Sequence, residues 1–371
     1  MKDFHTIMNR VGIVLGVLLL SQTLLGRDLY VDPDRGDDGA NGLAPQAGPE
    51  RSGPVKTIAK AVGLAQPGDT VHLTPRPTPY RDCVLLRERS GEPGKPITID
   101  GHGVTITGAD PLRPADWTDL GEGLYRSDTL YAALRGDDSV IQRVFFLFKG
   151  RMQRMGRTSK GAKAPFKKPE DLRPGEWTFQ AGSNSFYVRI AAGESLADAA
   201  IEIPYRANGV AIRGKKNEHL VLRNLTVTHF LNDGYNLHQH SKHVRFENIA
   251  AFECGDDGFS AHEGCDCEVE GYRASGNSTG FANGFGSHVK LKTAYLAGNH
   301  ANEILQMHDS TFEIRDTHVV TQAARPVVVR GNAGKGQICR GSLENVLIQC
   351  RADRAKPFEI GKDAVVRANH V

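Results

Sequence analysis

The feature that most constrains this chain is a short pattern repeated over its second half. Leu222-Arg-Asn-Leu recurs as Phe246-Glu-Asn-Ile, Val269-Glu-Gly-Tyr, Leu291-Lys-Thr-Ala, Ile314-Arg-Asp-Thr and Leu343-Glu-Asn-Val, with starts 24, 23, 22, 23 and 29 residues apart. Each copy reads as a short alternating strand, a turn and a second short strand. None carries an apolar stripe at helical spacing over ten or more residues. Repeats of this size built only of strands and turns stack as coils. Leucine-rich repeats are excluded because their Leu/Asn consensus is absent, and propeller blades need about 40 residues or more. The expected fold is all-β: a right-handed parallel β-helix of about three strands per coil, with coils about 4.8 Å apart.

The opening supports a capped solenoid. Leu29-Tyr-Val reads as a strand. Ile58, Ala61, Val62 and Ala65 follow at helical spacing and Pro67-Gly-Asp stops them, so an amphipathic helix is expected to cap the apolar core. Pro96-Ile-Thr-Ile and Val104-Thr-Ile-Thr then begin the coils. Residues 111–200 break the rhythm with Trp117, Phe145–Phe148, the Lys-rich run 160–168, Trp177 and Phe186. They read as an inserted β-rich segment with a solvated basic loop. The expected organisation is a leader over 1–26 and one β-helix domain over 27–371. That domain divides into cap and first coils at 27–110, the insertion at 111–200 and regular coils at 201–371.

Lys2 and Arg10 precede the apolar run Val11–Leu20, which is short of the about 20 residues a membrane span needs. It reads as a secretory signal peptide, which places the mature chain outside the cytoplasm, secreted or periplasmic, with no stable membrane insertion. The 46 Lys+Arg nearly balance the 43 Asp+Glu, which argues against a nucleic-acid partner. Export exposes the six cysteines to an oxidising compartment. A local disulfide from Cys254 is therefore expected, in preference to a zinc site at Cys265 and Cys267.

The run Leu29-Tyr-Val-Asp-Pro, Lys56-Thr-Ile-Ala-Lys-Ala, Pro67-Gly-Asp-Thr-Val and Lys95-Pro-Ile-Thr-Ile resembles the opening of secreted right-handed β-helix proteins of the pectate-lyase-like superfamily. The resemblance covers about 29–110, and the generic coil pattern about 200–362. It implies the fold. It leaves function open among polysaccharide lyases, glycoside hydrolases, epimerases, esterases and non-catalytic adhesins.

Function is read from one face of the coils. Aligning the second strand of each repeat gives an outward row Arg213, His238, His262, His288, His308, Arg330. A second row reads Ala211, Asn236, Ser260, Gly286, Gln306, Val328, and an edge reads Asn208, Asp233, Asp257, Asn283, Glu303, Arg325. Together they predict a shallow groove suited to an extended polysaccharide. Asp233, His238, Asp257, His262, His288, Lys290, Glu303 and His308 are the candidate catalytic residues. Arg213, Asn236, Ser260, Glu263, Gln306 and Arg330 are the candidate substrate contacts. The leading expectation is β-elimination from an acidic, uronate-containing polymer, with imidazoles or Lys290 moving protons and the arginines holding carboxylates. Asp233, Asp256 and Asp257 could hold Ca²⁺, as Asp clusters do in Ca²⁺-dependent lyases of that superfamily. The alternative is hydrolysis by an Asp/Glu pair in the same groove. The Asp256-Asp257 pair resembles that of polygalacturonases, whose Gly-His-Gly and Arg-Ile-Lys are absent around this cleft. A third expectation is a non-catalytic protein binding glycan, or Zn²⁺ or Cu²⁺ through the histidine row.

Overall fold

The computed structural model describes residues 26–351 and 356–371. The leader expected over 1–26 lies outside them, Gly26 excepted. The chain forms a right-handed parallel β-helix with two long parallel sheets. The first sheet has eleven strands and runs from Asp28–Val31 to Ala364–Asn369, and the second has eight, from Val84–Arg87 to Phe358–Ile360.

The repeat seen in the sequence is the register of the first sheet. Leu222, Phe246, Val269, Leu291, Ile314 and Leu343 stand side by side on successive coils. The residue two places on explains why the pattern repeats. Asn224, Asn248, Gly271, Thr293, Asp316 and Asn345 all have φ between 50° and 74°. A single left-handed residue bends each long strand, so a coil carries two segments on this sheet and a third on the other. Asn, Asp and Gly enter this region at least cost. Stacked amides join neighbouring turns: Asn248 Nδ2 donates to Asn224 Oδ1 at 2.9 Å, and Asn345 Nδ2 to Asp316 Oδ1 at 3.0 Å. Thr293 is the misfit, because a β-branched residue is a genuine outlier at positive φ. Thr293→Asn is expected to stabilise the protein by about 1 kcal/mol, read as a rise in the denaturant midpoint with an unchanged slope.

Between the sheets the core is layered by coil. Tyr235, Phe259 and Phe281 are in register and fully buried, with the Phe259 and Phe281 rings stacked at 4.9 Å and 12°. The tyrosine hydroxyls are satisfied inside: Tyr235 Oη donates to Leu225 O at 2.8 Å and Tyr272 Oη to Gly280 O at 2.9 Å. At the N-terminal end the helix Ile58–Leu64 covers the first strands. Thr57 caps it, its hydroxyl accepting from Lys60 N, and Ile58, Ala61 and Val62 enter the core.

Between Ala109 and Pro204 the chain leaves the solenoid for two four-stranded antiparallel sheets. Their core is separate from that of the coils and centres on Phe146, Trp177, Phe179 and Phe186. All six cysteines are unpaired. The disulfide expected from Cys254 is absent because its side chain is buried in the solenoid core as an apolar group. No helix among the described residues is long and apolar enough to cross a membrane.

Candidate functional site

The second sheet carries the expected face, with a different register beyond Ser260. The true neighbours are Ala211, Asn236, Ser260, Ala282, Leu305 and Val328. Arg213, His238 and His262 keep their row, which continues through Gly284 and Met307 to Arg330. Phe281, not Phe285, follows Phe259 into the core.

This shift corrects several residues. His288 begins a strand of the first sheet, level with Asp266 and Thr311, and Lys290 lies beyond it paired to Glu268 at 3.3 Å. Both line a separate groove of about 530 Å³ with His219 and His243, whose rings stack in parallel at 4.7 Å. Gln306 turns inward and accepts from Asn283 Nδ2 at 2.9 Å, because its register partners point to the core. Glu303 is wholly buried and holds Asn299 through its N–H and side-chain amide, so it braces a turn. Asn302 takes its place in the edge row, level with Thr279. His308 falls one residue past the row and stacks on the exposed ring of Phe285 at 4.0 Å. Gly286 belongs to that same loop and not to the groove floor.

What remains is a compact polar centre. Asp233 and Asp257 occupy equivalent positions on adjacent coils, each two residues before a paired aromatic. With Asp256 they bring carboxylate oxygens within 4.8 Å of one another. Asp233 is tied down on both sides: Asn236 Nδ2 donates to its Oδ2 at 2.6 Å and the backbone N–H of Asp257 to its Oδ1 at 3.0 Å. Ser260 bonds the His262 ring, which lies 5.1 Å from that of His238. Glu263 approaches His238 Nδ1 at 3.4 Å from the rim, and Arg213 reaches Asn236 Oδ1 at 3.5 Å.

Sequence reasoning missed the cation. Lys160, expected in a solvated loop, places its ammonium against Asp257 and 3.2 Å from Asp256 Oδ1. Its loop is anchored to the coils. Lys160 N donates to Ser278 Oγ at 3.0 Å, and buried Arg154 donates to the carbonyls of Cys254, Gly255 and Gly276. Arg143, also from the insertion, reaches Asn232 Oδ1 at 2.7 Å and lies 3.9 Å from Asp256.

These surroundings separate the three acids. Burial, then the charges of Asp257 and Asp256, push the Asp233 carboxyl well above the usual range. Burial lifts Asp257 to about 6, with Lys160 offsetting part of the rise. Burial also opposes ionisation of Asp256, yet Lys160, Arg143 and the Ser159 hydroxyl outweigh it and hold its carboxyl below the usual range. Burial, with His238 and Lys160 nearby, lowers His262 to about 4, so it is neutral near pH 7. The centre thus sets a carboxyl that holds its proton more tightly than usual beside one that releases it more readily, the kind of division on which acid–base catalysis by carboxylates depends. Beyond Lys160 a groove of about 510 Å³ continues along the face, floored by Leu305, Met307 and Val328 and rimmed by Asn302, Arg325 and Arg330.

No family model matches the chain, and no curated protein matches its sequence. Among solved structures it is similar to a glycoside hydrolase, with a TM-score of 0.52 and 11% identity over 92% of this chain and 97% of that one. A complex of XylC with xylose aligns with a TM-score of 0.49 and 11% identity over 87% of this chain and 70% of that one. The first likeness is one of fold alone.

Proposed function

We propose that the chain is an exported carbohydrate-active enzyme that hydrolyses a polysaccharide at Asp233, Asp256 and Asp257. One observation carries the reading: three clustered carboxylates whose environments drive their proton affinities apart. Glycoside hydrolysis needs a protonated carboxyl for the leaving oxygen and a carboxylate to activate water or attack the sugar. The proton belongs to the buried Asp233–Asp257 pair as a unit. Asp256, charged and nearest the surface of the three, takes the second role. The polymer would lie over Ser260 and the Leu305–Met307 floor, with Arg330 at the far end. The leader expected over 1–26 supports export.

One observation favours β-elimination as a second reading. His262 is in its neutral, proton-accepting form and shares the row with Arg213 and Arg330, which could hold uronate carboxylates. A polysaccharide panel with residues 27–371 separates the readings. Hydrolysis releases reducing ends without ultraviolet absorbance, whereas elimination produces an absorbing unsaturated uronate. No turnover with retained glycan binding would leave the non-catalytic reading.

The pH profile follows from the same acids. As pH rises through about 6 the Asp257 carboxyl loses its proton, while Asp233, held well above the usual range, keeps the proton that the pair shares. kcat/KM is therefore expected to hold as pH rises through about 6 and to fall only where that second proton leaves. A fall of about tenfold per pH unit beginning at about pH 6 would reject the assignment.

A further inference from the structure

Asp233, Asp256 and Asp257 offer the hard oxygen donors that Ca²⁺ takes, and their oxygens lie within 4.8 Å of one another. The centre of the cluster, however, is filled by the protein itself. Lys160 Nζ contacts Asp257 Oδ1 and stands 3.2 Å from Asp256 Oδ1. A calcium ion would need those same oxygens at about 2.3–2.6 Å, with six to eight donors in all. Asp233 has little left to give, since its two oxygens already accept from Asn236 and from the Asp257 backbone. The residues present do not fit a resident divalent cation while the ammonium is there.

We propose that Lys160 is a tethered substitute for that cation. It neutralises the carboxylate cluster, makes the centre independent of metal, and leaves a divalent-cation site behind when its amine is removed. The charge balance requires a cation of some kind. Three carboxylates that are almost wholly buried repel one another, and buried acids persist only when paired, protonated or bound to metal. The nearest other cation, Arg143, stops 3.9 Å from Asp256. Other anchors of the Lys160 loop do not involve its side chain: Lys160 N donates to Ser278 Oγ, and Arg154 holds three carbonyls of the coils. Shortening the side chain should therefore empty the position and leave its walls in place. This inference goes beyond the hydrolytic reading and does not depend on it, because cation binding is measured without substrate.

The test is calorimetric titration of CaCl₂ into the folded wild type, Lys160→Ala and Lys160→Ala/Asp257→Asn, with far-ultraviolet circular dichroism to show each is folded. The wild type is expected to take up no Ca²⁺, and its melting temperature should be unmoved by Ca²⁺ or EDTA. Lys160→Ala is expected to bind one Ca²⁺ with a dissociation constant of about 10⁻⁴–10⁻³ M, the range of extracellular modules. The double variant should lose it. If Lys160→Ala does not fold, Lys160→Met, which keeps the apolar stem, undergoes the same titration. Stoichiometric Ca²⁺ binding by the wild type that Asp257→Asn abolishes would overturn the proposal. So would a folded Lys160→Ala or Lys160→Met that binds none. Absence of polysaccharide cleavage by the wild type with these binding results intact would count against the hydrolase alone.

Discussion

Asp256→Asn and Asp257→Asn are each expected to lower kcat by between about 10²- and 10⁴-fold, with the fold retained. The substitutions are nearly isosteric, so they change charge and proton affinity more than shape. Asp256→Asn removes the ionised carboxylate that Lys160 and Arg143 hold charged. Asp257→Asn removes the carboxyl placed to share the proton with Asp233. His288→Ala and Lys290→Ala are the informative controls, because the sequence reading makes both candidate catalytic residues. The structure moves them to the first sheet, in the groove with His219 and His243. They should leave kcat within about twofold, as surface changes remote from the chemistry do. A large loss from either would return the site to that groove. Initial rates and circular dichroism on the four variants decide the matter.

The second large effect is on stability. Phe259→Ala is expected to cost about 3–5 kcal/mol, the range for emptying a buried phenylalanine site. Phe259 is fully buried and touches aromatic rings on four sides: Tyr235, Phe246, Tyr272 and Phe281. Two of those contacts cross to adjacent coils of the same sheet, so the loss falls on the stacking that holds a solenoid together. Denaturant titration should show a lower midpoint. A change under about 1 kcal/mol would mean that the layer relaxes to fill the void, which packed cores do only partially. Because Phe259 lies two residues after Asp257 on one strand, activity in the folded fraction reports whether the aromatic layer also positions the acid.

The architecture was legible because its cause is local. One left-handed residue per coil admits few residue types, so Asn224, Asn248, Gly271, Asp316 and Asn345 recur where the strand bends. The polar face was legible where strand alternation runs unbroken, through Arg213, His238 and His262. It failed at the next coil, where Phe281 and Phe285 both satisfy the apolar position. The spacing of 22 residues from Val269 to Leu291 carries the missing signal, since Phe281 also lies 22 residues after Phe259. A coil has one length around its whole circuit, so the first sheet sets the register of the second. Lys160 carries no such signal. It lies 97 residues from Asp257, inside an insertion whose antiparallel pairing follows a different rule. Only the folded contacts of Arg154 and Ser278 bring it to the acids.

The central claim is that cleavage occurs on the second sheet, between Asp256 and the groove beyond Lys160. A crystal of Asp256→Asn soaked with the oligosaccharide that the panel identifies tests it most directly. The saccharide is predicted to lie over Ser260, Leu305 and Met307, with a glycosidic oxygen within hydrogen-bonding reach of the carboxyl cluster. A saccharide seated instead among His219, His243 and His288, with the second sheet bare, would contradict the account.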